Sequence, residues 1–444
     1  MSSAVHAAEL VTFEQGGTAK ASEVNGNFEA LNSEVQANKA AISNIALTPG
    51  PAGPAGSAGS AGSVGPAGPA GPAGSAGSGA TATETIAVDC ATDSLQTAIE
   101  TAVAGIVTIN VTGTCNENIT IARSNIIIDA DTEDDGVSDA TLVISSSPGI
   151  SIFGASNIDI SGLTVTGGAF QALALDDAQV SLTNTDISST GITGQGIASY
   201  VAFMDHSKLH MTGSTIDHAS APDGSGGLLV INNSSLVLDG GNTINVAGVA
   251  LAETAALDVL QSSAVTRGFS AGAADTISGD DIGLLLEGAS SAFLGTDMTI
   301  NGITEVIGNS YMLVEGMTLT GDLEVSLNSS LYAEADVGCG ASCLINIIGG
   351  VELYSGGQME MEGADVSGTI TVSHSSSVDI YESELTNIDA DGRVSVDGGV
   401  IDGTIQCRNG GAAETVRLSS NGATTTITGL NVIGGTSGDP SCVN

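Results

Sequence analysis

From Ile106 onward, apolar and polar residues alternate with a period of two, in runs of four to six residues broken by pairs of Gly, Ser or Asn. Such alternation is the signature of short β-strands with one buried face. The runs share one form: "SNIDISGLTV", "AQVSLTNTDI", "SKLHMTGSTI", "SSLVLDGGNTI", "AALDVLQSSAV", "NSYMLVEGMTL", "SSLYAEADV", "GGVELYSGGQM" and "SSVDIYESEL" each set a small turn pair before a strandlet. Their first apolar residues are Ile158, Val180, Leu209, Leu236, Leu257, Met312, Leu331, Val351 and Val378. Most gaps between them fall at about 19 to 29 residues, the length of one solenoid coil, and the long gap from Leu257 to Met312 hides a further coil at "SSAFLGTDMTI". A β-sandwich would not keep one motif in phase for so long. The pattern predicts about a dozen coils, on the order of 60 Å at the spacing of stacked strands.

Two stretches keep a different period. In "DSLQTAIETAVAG", Leu95, Ala98, Ile99 and Ala102 share one face of a helix, with Asp93 placed to cap it and Gln96 three residues later. Nearer the start, Val24, Phe28, Leu31, Val35, Ile42 and Ile45 form a heptad seam, with Asn38 in its gap as a register-setting polar residue. The seam runs into "TPGPAGPAGSAGSAGSVGPAGPAGPAGSAGSGA", where glycine holds every third position from Gly50 to Gly77, ten in succession. A flexible linker has no reason to keep that period, whereas three polyproline II strands wound on one axis require it. Residues 8–47 are therefore read as a trimeric coiled coil on the order of 30 Å long, and 48–80 as a collagen-like stalk of roughly 90 Å. Residues 81–444 form the β-helical body. The opening "SSAVHAAEL" reads as the end of a secretory signal, with Val5-His6-Ala7 before the cleavage point, which makes 1–7 a signal remnant.

Two resemblances follow from these residues. Phe13, Gly17, Thr18, Ala19, Ala21, Glu23, Val24, Asn25, Asn27, Phe28, Leu31 and Asn32 carry a pattern similar to a segment near the start of exported proteobacterial proteins, which implies export and multimerisation. Leu95, Ala98, Ile99 and Ala102, followed by Glu117, Asn118, Ile119 and Ile121 of "NENITI", resemble the start of secreted right-handed parallel β-helices of the pectin-lyase-like class. That resemblance implies an all-β fold, a right-handed parallel β-helix solenoid with a helix closing its first coil, and no particular activity.

Composition and charge narrow the partners. Eight basic residues face 50 acidic ones, for a formal net charge of -42, so nucleic acid and anionic membranes are poor partners and cations are favoured. No apolar run reaches the roughly 20 residues of a membrane span. Tryptophan is absent and there are five tyrosines, which argues against an aromatic glycan platform. The six cysteines lie as Cys90 and Cys115, Cys339 and Cys343, and Cys407 and Cys442; in an exported chain they predict three disulfides between near neighbours.

Candidate chemistry is sparse. In "DTEDDGVSDA", Asp131, Glu133, Asp135, Gly136 and Asp139 occupy relative positions 1, 3, 5, 6 and 9, with the Val137 carbonyl at position 7, a spacing that wraps a hard cation in oxygens. The loop resembles the calcium loops of bacterial D-x-D-x-D-G-x-x-D repeats and implies calcium, against the alternative of a solvated acidic loop. "MDHSKLHMTGSTIDH" gathers Asp205, His206, Lys208, His210, Asp217 and His218, either as a base with its orienting carboxylate or as ordinary surface. No nucleophile motif, phosphate loop or cofactor fingerprint accompanies them, so no catalytic residue is assigned. The expectation is a secreted homotrimeric fibre or surface appendage that assembles with itself and touches an extracellular glycan or cell surface. The runner-up is a polysaccharide lyase or hydrolase on a trimeric stalk.

Overall fold

The computed structural model describes residues 82–433, apart from the short stretches 134–135, 169–170, 191, 193–198, 222–224, 249–254, 267–273, 296–297, 336–344, 408–415 and 420–425. The described residues belong to one compact unit, Gly77–Asn444. The coiled-coil and collagen-like segments, and Cys339, Cys343 and Cys442, lie outside them.

The body is a parallel β-helix in which each strand away from the two ends pairs in parallel with the one a coil before and the one a coil after. Each coil visits three faces in turn, here called A, B and C. One coil runs Ile158–Ser161 on face A, Leu163–Gly167 on face B and Leu173–Asp176 on face C, and the chain then re-enters face A at Gln179–Thr183. Alternation fills the interior. On face A, Ile126, Ile158, Val180, Leu209 and Leu236 stack in register, all buried, and Ala264, Ala292, Met312, Leu331, Met359 and Val378 continue the column. Ala292 is the coil hidden in "SSAFLGTDMTI".

Leu257 and Val351 do not belong to this column. Leu257 pairs with Leu228 and Leu284, and Val351 with Leu323 and Ile370, all on face C. Their coils enter face A later, at Ala264 and Met359. Face C strandlets alternate just as face A strandlets do, and a small-residue pair precedes both kinds, so pattern alone does not separate them.

The corners explain the turn pairs. Before six successive entries to face A, one residue adopts positive φ and the next is a buried serine: His206 and Ser207, Asn233 and Ser234, Gln261 and Ser262, Ala289 and Ser290, Asn309 and Ser310, Asn328 and Ser329. Each serine hydroxyl accepts a hydrogen bond from the backbone N–H one coil earlier. Ser207 N donates to Ser234 Oγ at 3.0 Å, Ser234 N to Ser262, Ser262 N to Ser290 and Ser290 N to Ser310 at 3.2 Å, and Ser310 N to Ser329 at 3.0 Å. The hydroxyl then donates within its own coil, as from Ser207 to the Asp205 carbonyl at 2.6 Å. A shorter ladder of Thr185, Ser214, Asn242 and Asp275 does the same at the A-to-B corner.

The B-to-C corner differs between the two halves of the body. Later coils close it on a single stacked glycine. Gly302 has φ +100° and Gly321 φ +132°, and a Cβ on Gly321 would stand 2.5 Å from the Gly302 carbonyl oxygen. Gly349 and Gly368 repeat the approach. Such a turn is closed to any residue with a side chain, and it shortens the coil to 19 residues between Met312 and Leu331, against 27 between Leu209 and Leu236.

Helix α1, Leu95–Thr101, sits at the start of the body with Leu95, Ala98 and Ile99 buried. Its cap is Ser94, not Asp93; Ser94 Oγ accepts from Thr97 N at 3.1 Å. The acidic partner comes from the next coil, because Glu117 accepts from Leu95 N and from the Ser94 hydroxyl, both at 2.7 Å. Asn118 fastens the other side, donating to the Ser146 and Pro148 carbonyls. The Arg123 guanidinium donates to the Ala102 carbonyl at the helix end. A Cys90–Cys115 disulfide closes the loop around this helix, as predicted for the first pair.

Removing one rung of the serine ladder tests its weight. Ser290→Ala leaves the Ser262 N–H buried without a partner and is expected to lower stability by about 1–3 kcal/mol. Ser291→Ala, one residue on and facing out, stays within about 0.5 kcal/mol. Urea unfolding midpoints of the two variants measure the difference, and equal midpoints would overturn the ladder's role.

Candidate functional site

The histidine and lysine cluster is spread over separate environments. On the strand Lys208–Thr212, Leu209 and Met211 face in, so Lys208 and His210 face out on face A. They share a surface depression with Asp159, Gln179, Ser181 and Val237. His210 Nε2 stands 3.5 Å from Asp239 Oδ2. Asp159, in the same outward column, is held above the usual carboxylate range by desolvation and by Asp129, with His210 acting in the opposite direction. His206 lies at the C-to-A corner, its Nδ1 2.7 Å from Asp205 Oδ1. There His206, Asp176 and Asp177 each offer a ligand atom, all within 4.8 Å of one another, on an exposed corner.

Asp217 and His218 part company on face B. Asp217 points out and accepts from Asn245 Nδ2 at 2.7 Å. His218 points in, fully buried, stacked between Ser189 and Val246. Neither ring nitrogen of His218 makes a hydrogen bond of ordinary length, and burial holds its pKa below the usual imidazole value even with the Gly226 backbone and Asp217 pulling the other way. The sequence carried this signal: Ile216 and His218 have the same parity on one strand, and a new parity begins at the Gly213-Ser214 turn.

The 131–139 loop is folded on itself. Asp131 Oδ2 accepts from Gly136 N at 2.9 Å, and Asp139 Oδ2 accepts from the Thr132 N–H at 2.9 Å and its hydroxyl at 2.6 Å. These bonds from Thr132 hold Asp139 below the usual carboxylate range. Glu133 and Val137 are exposed, and Asp135 lies outside the described residues. Of the other predicted disulfide partners, Cys407 ends the strand Val400–Cys407.

Sequence reading missed a buried acid on face C. Tyr200 donates its hydroxyl to Asp258 Oδ2 at 2.8 Å, spanning the intervening strand Gly226–Ile231. Gly226 makes the crossing possible, because a Cβ there would stand 2.3 Å from the tyrosine ring. Asp258 is only 7% exposed and its Oδ1 has no hydrogen-bond partner. Desolvation pushes its carboxyl up to about 6, against the Tyr200 hydrogen bond, and the Tyr200 hydroxyl is raised in turn. The two residues are 58 positions apart, which is why no local motif announces them.

These two groups give opposite pH dependences. Asp258 binds its proton more tightly folded than unfolded, so its contribution is present below about pH 4 and lost as pH rises through about 6. Asp258→Asn, which keeps an acceptor for Tyr200, is expected to match the parent near pH 4 and exceed it at pH 7 by on the order of 2–3 kcal/mol. His218 binds its proton less tightly when folded, so its contribution is present above about pH 6.5 and falls below it. His218→Leu is expected to remove that acid-side loss and to be neutral or stabilising at pH 7. Thermal unfolding of both variants between pH 4 and 8 checks the signs, and a parallel profile for either variant would refute its assignment. Comparison with known proteins matches no family model, no curated protein and no solved structure, so the reading of function rests on the chain's own chemistry.

Proposed function

We propose that the chain is the subunit of a secreted homotrimeric fibre or surface appendage with a structural or adhesive role. The observation that carries this reading is the unbroken run of ten glycines at every third position, Gly50 to Gly77, next to a heptad seam. The triple helix needs three chains and the seam at least two, and neither serves a solitary subunit. In this reading the seam sets the register, the collagen-like segment supplies reach, and the body is a β-helix of the pectin-lyase-like kind. Calcium at Asp131, Glu133, Asp135, Val137 and Asp139 and along the acidic surface allows trimers to join into filaments. The body then meets an extracellular glycan or cell surface.

A second reading, a polysaccharide lyase or hydrolase, draws on one observation: Lys208, His210 and Asp159 line the same depression on face A. A lyase acting on uronate polymers generates an unsaturated, ultraviolet-absorbing product that Lys208→Ala or His210→Ala should abolish.

Sedimentation equilibrium of the full chain is expected to return three times the 43.5 kDa of one chain. Gly65→Asp, which puts a side chain on the crowded axis, should weaken the polyproline II band in circular dichroism and shift the mass downward. A monomer in the parent would sink the fibre reading. Electron microscopy with calcium and then with chelator should show filaments that dissolve, and filaments unchanged by chelator would remove calcium from the proposal.

A further inference from the structure

The outer side of face B is unlike the other two. Thr215, Thr243, Thr276, Thr299 and Thr318 stack in unbroken register. Two residues along each strand a second column follows, Asn245, Ser278, Asn301 and Thr320. Between the columns Ile216, Ile244, Ile277, Ile300 and Leu319 point into the core and are fully buried or nearly so, which anchors the rows from beneath. From Thr243 to Thr320 no position in either column is charged, in a chain of net charge -42. The neighbouring faces differ in kind: on face A the first outward column, Ser235 to Ser330, is likewise uncharged but runs beside Val237, Val265, Phe293, Leu313 and Tyr332, and the acids of both neighbouring faces stack in columns of their own. Glu315, Glu334 and Glu362 stack on face A, and Glu305, Glu324 and Glu352 on face C.

We infer that this face binds ice. Stacked strands repeat at about 4.8 Å and alternate residues along a strand at about 6.6 Å, so the two columns form a two-dimensional grid of hydroxyl and amide groups. That grid is close to the oxygen repeats on faces of hexagonal ice. Threonine is stiff at χ1, and the five threonines of the first column are each half-buried between their neighbours, so a hydroxyl stays at its grid point with little further loss of freedom. Waters held at successive rungs are then already spaced as a lattice layer, and the threonine methyls between them exclude water that does not fit. Charged groups would impose a tight hydration shell of their own, and this strip has none. A crystalline polysaccharide is the other periodic, uncharged ligand, but surfaces for it are built on flat aromatic rings, and neither column holds one. The inference does not depend on trimer formation.

Partitioning of the fluorescently labelled full chain into slowly growing ice tests it. The parent is expected to enter the ice, and Ser278→Asp combined with Asn301→Asp to be excluded. The folded body tolerates an aspartate in this column, since Asp217 already occupies it, and the unfolding midpoint verifies that the variant folds. Ser291→Asp, on face A, is expected to enter ice as the parent does. Exclusion of the parent, entry of the double variant, or equal loss with Ser291→Asp would each overturn the proposal. So would binding of the parent to crystalline cellulose or chitin with no entry into ice.

Discussion

The body depends on satisfying one backbone N–H at each corner. A β-helix bends its chain sharply three times per coil, and at each bend an amide is turned toward the interior, where an unmatched donor costs about 1–3 kcal/mol. The chain answers at the C-to-A corner with a left-handed residue followed by a serine, whose hydroxyl receives the N–H of the preceding coil. Because the acceptor sits one coil on, the bond along the stack and the turn within the coil are made by the same residue. Each coil is thereby locked in register with its neighbours, and the parity of every strand that follows is set.

That register decides where charge and chemistry fall. A slip of one residue would turn each face inside out, so carboxylates fixed in one coil must stack on whatever the next coil offers. On faces A and C the offer is often another carboxylate, at strand spacing, a pairing that costs stability in dilute salt and is eased by ionic strength or bound cations. Face B is built otherwise, with neutral hydroxyls and amides over its central coils. The three faces of one solenoid thus present different surfaces while sharing one interior of isoleucine, leucine and valine.

The same geometry scatters what the sequence gathers. The fourteen residues from Asp205 to His218 run from the end of the face C strand round a corner, across the whole of face A and round a second corner to the middle of the face B strand. His206, His210 and His218 therefore end in an exposed corner, an open depression and the dry interior. Conversely Tyr200 and Asp258, far apart along the chain, meet because a glycine in the intervening coil leaves room for the ring.

Much of this was present in the chain before folding. The two-residue alternation, the turn pairs and their recurrence dictate a β-solenoid with apolar residues inside, since each strandlet has one face to bury and too little length to bury it alone. The Cys90–Cys115 bridge and the helix over Leu95 to Thr101 were legible for equally local reasons, short separation and a 3.6-residue apolar stripe. Only the tertiary structure decided which strandlets share a face, because Leu257 and Val351 look in sequence like Leu236 and Leu331 and differ from them only in which corner comes first. It alone supplied Glu117 as the acceptor at the helix start and buried Asp258 under a hydrogen bond to Tyr200. It alone set the threonines in line. A column is a property of stacking at right angles to the chain, and coil lengths from 16 to 32 residues hide it from any fixed period along the sequence.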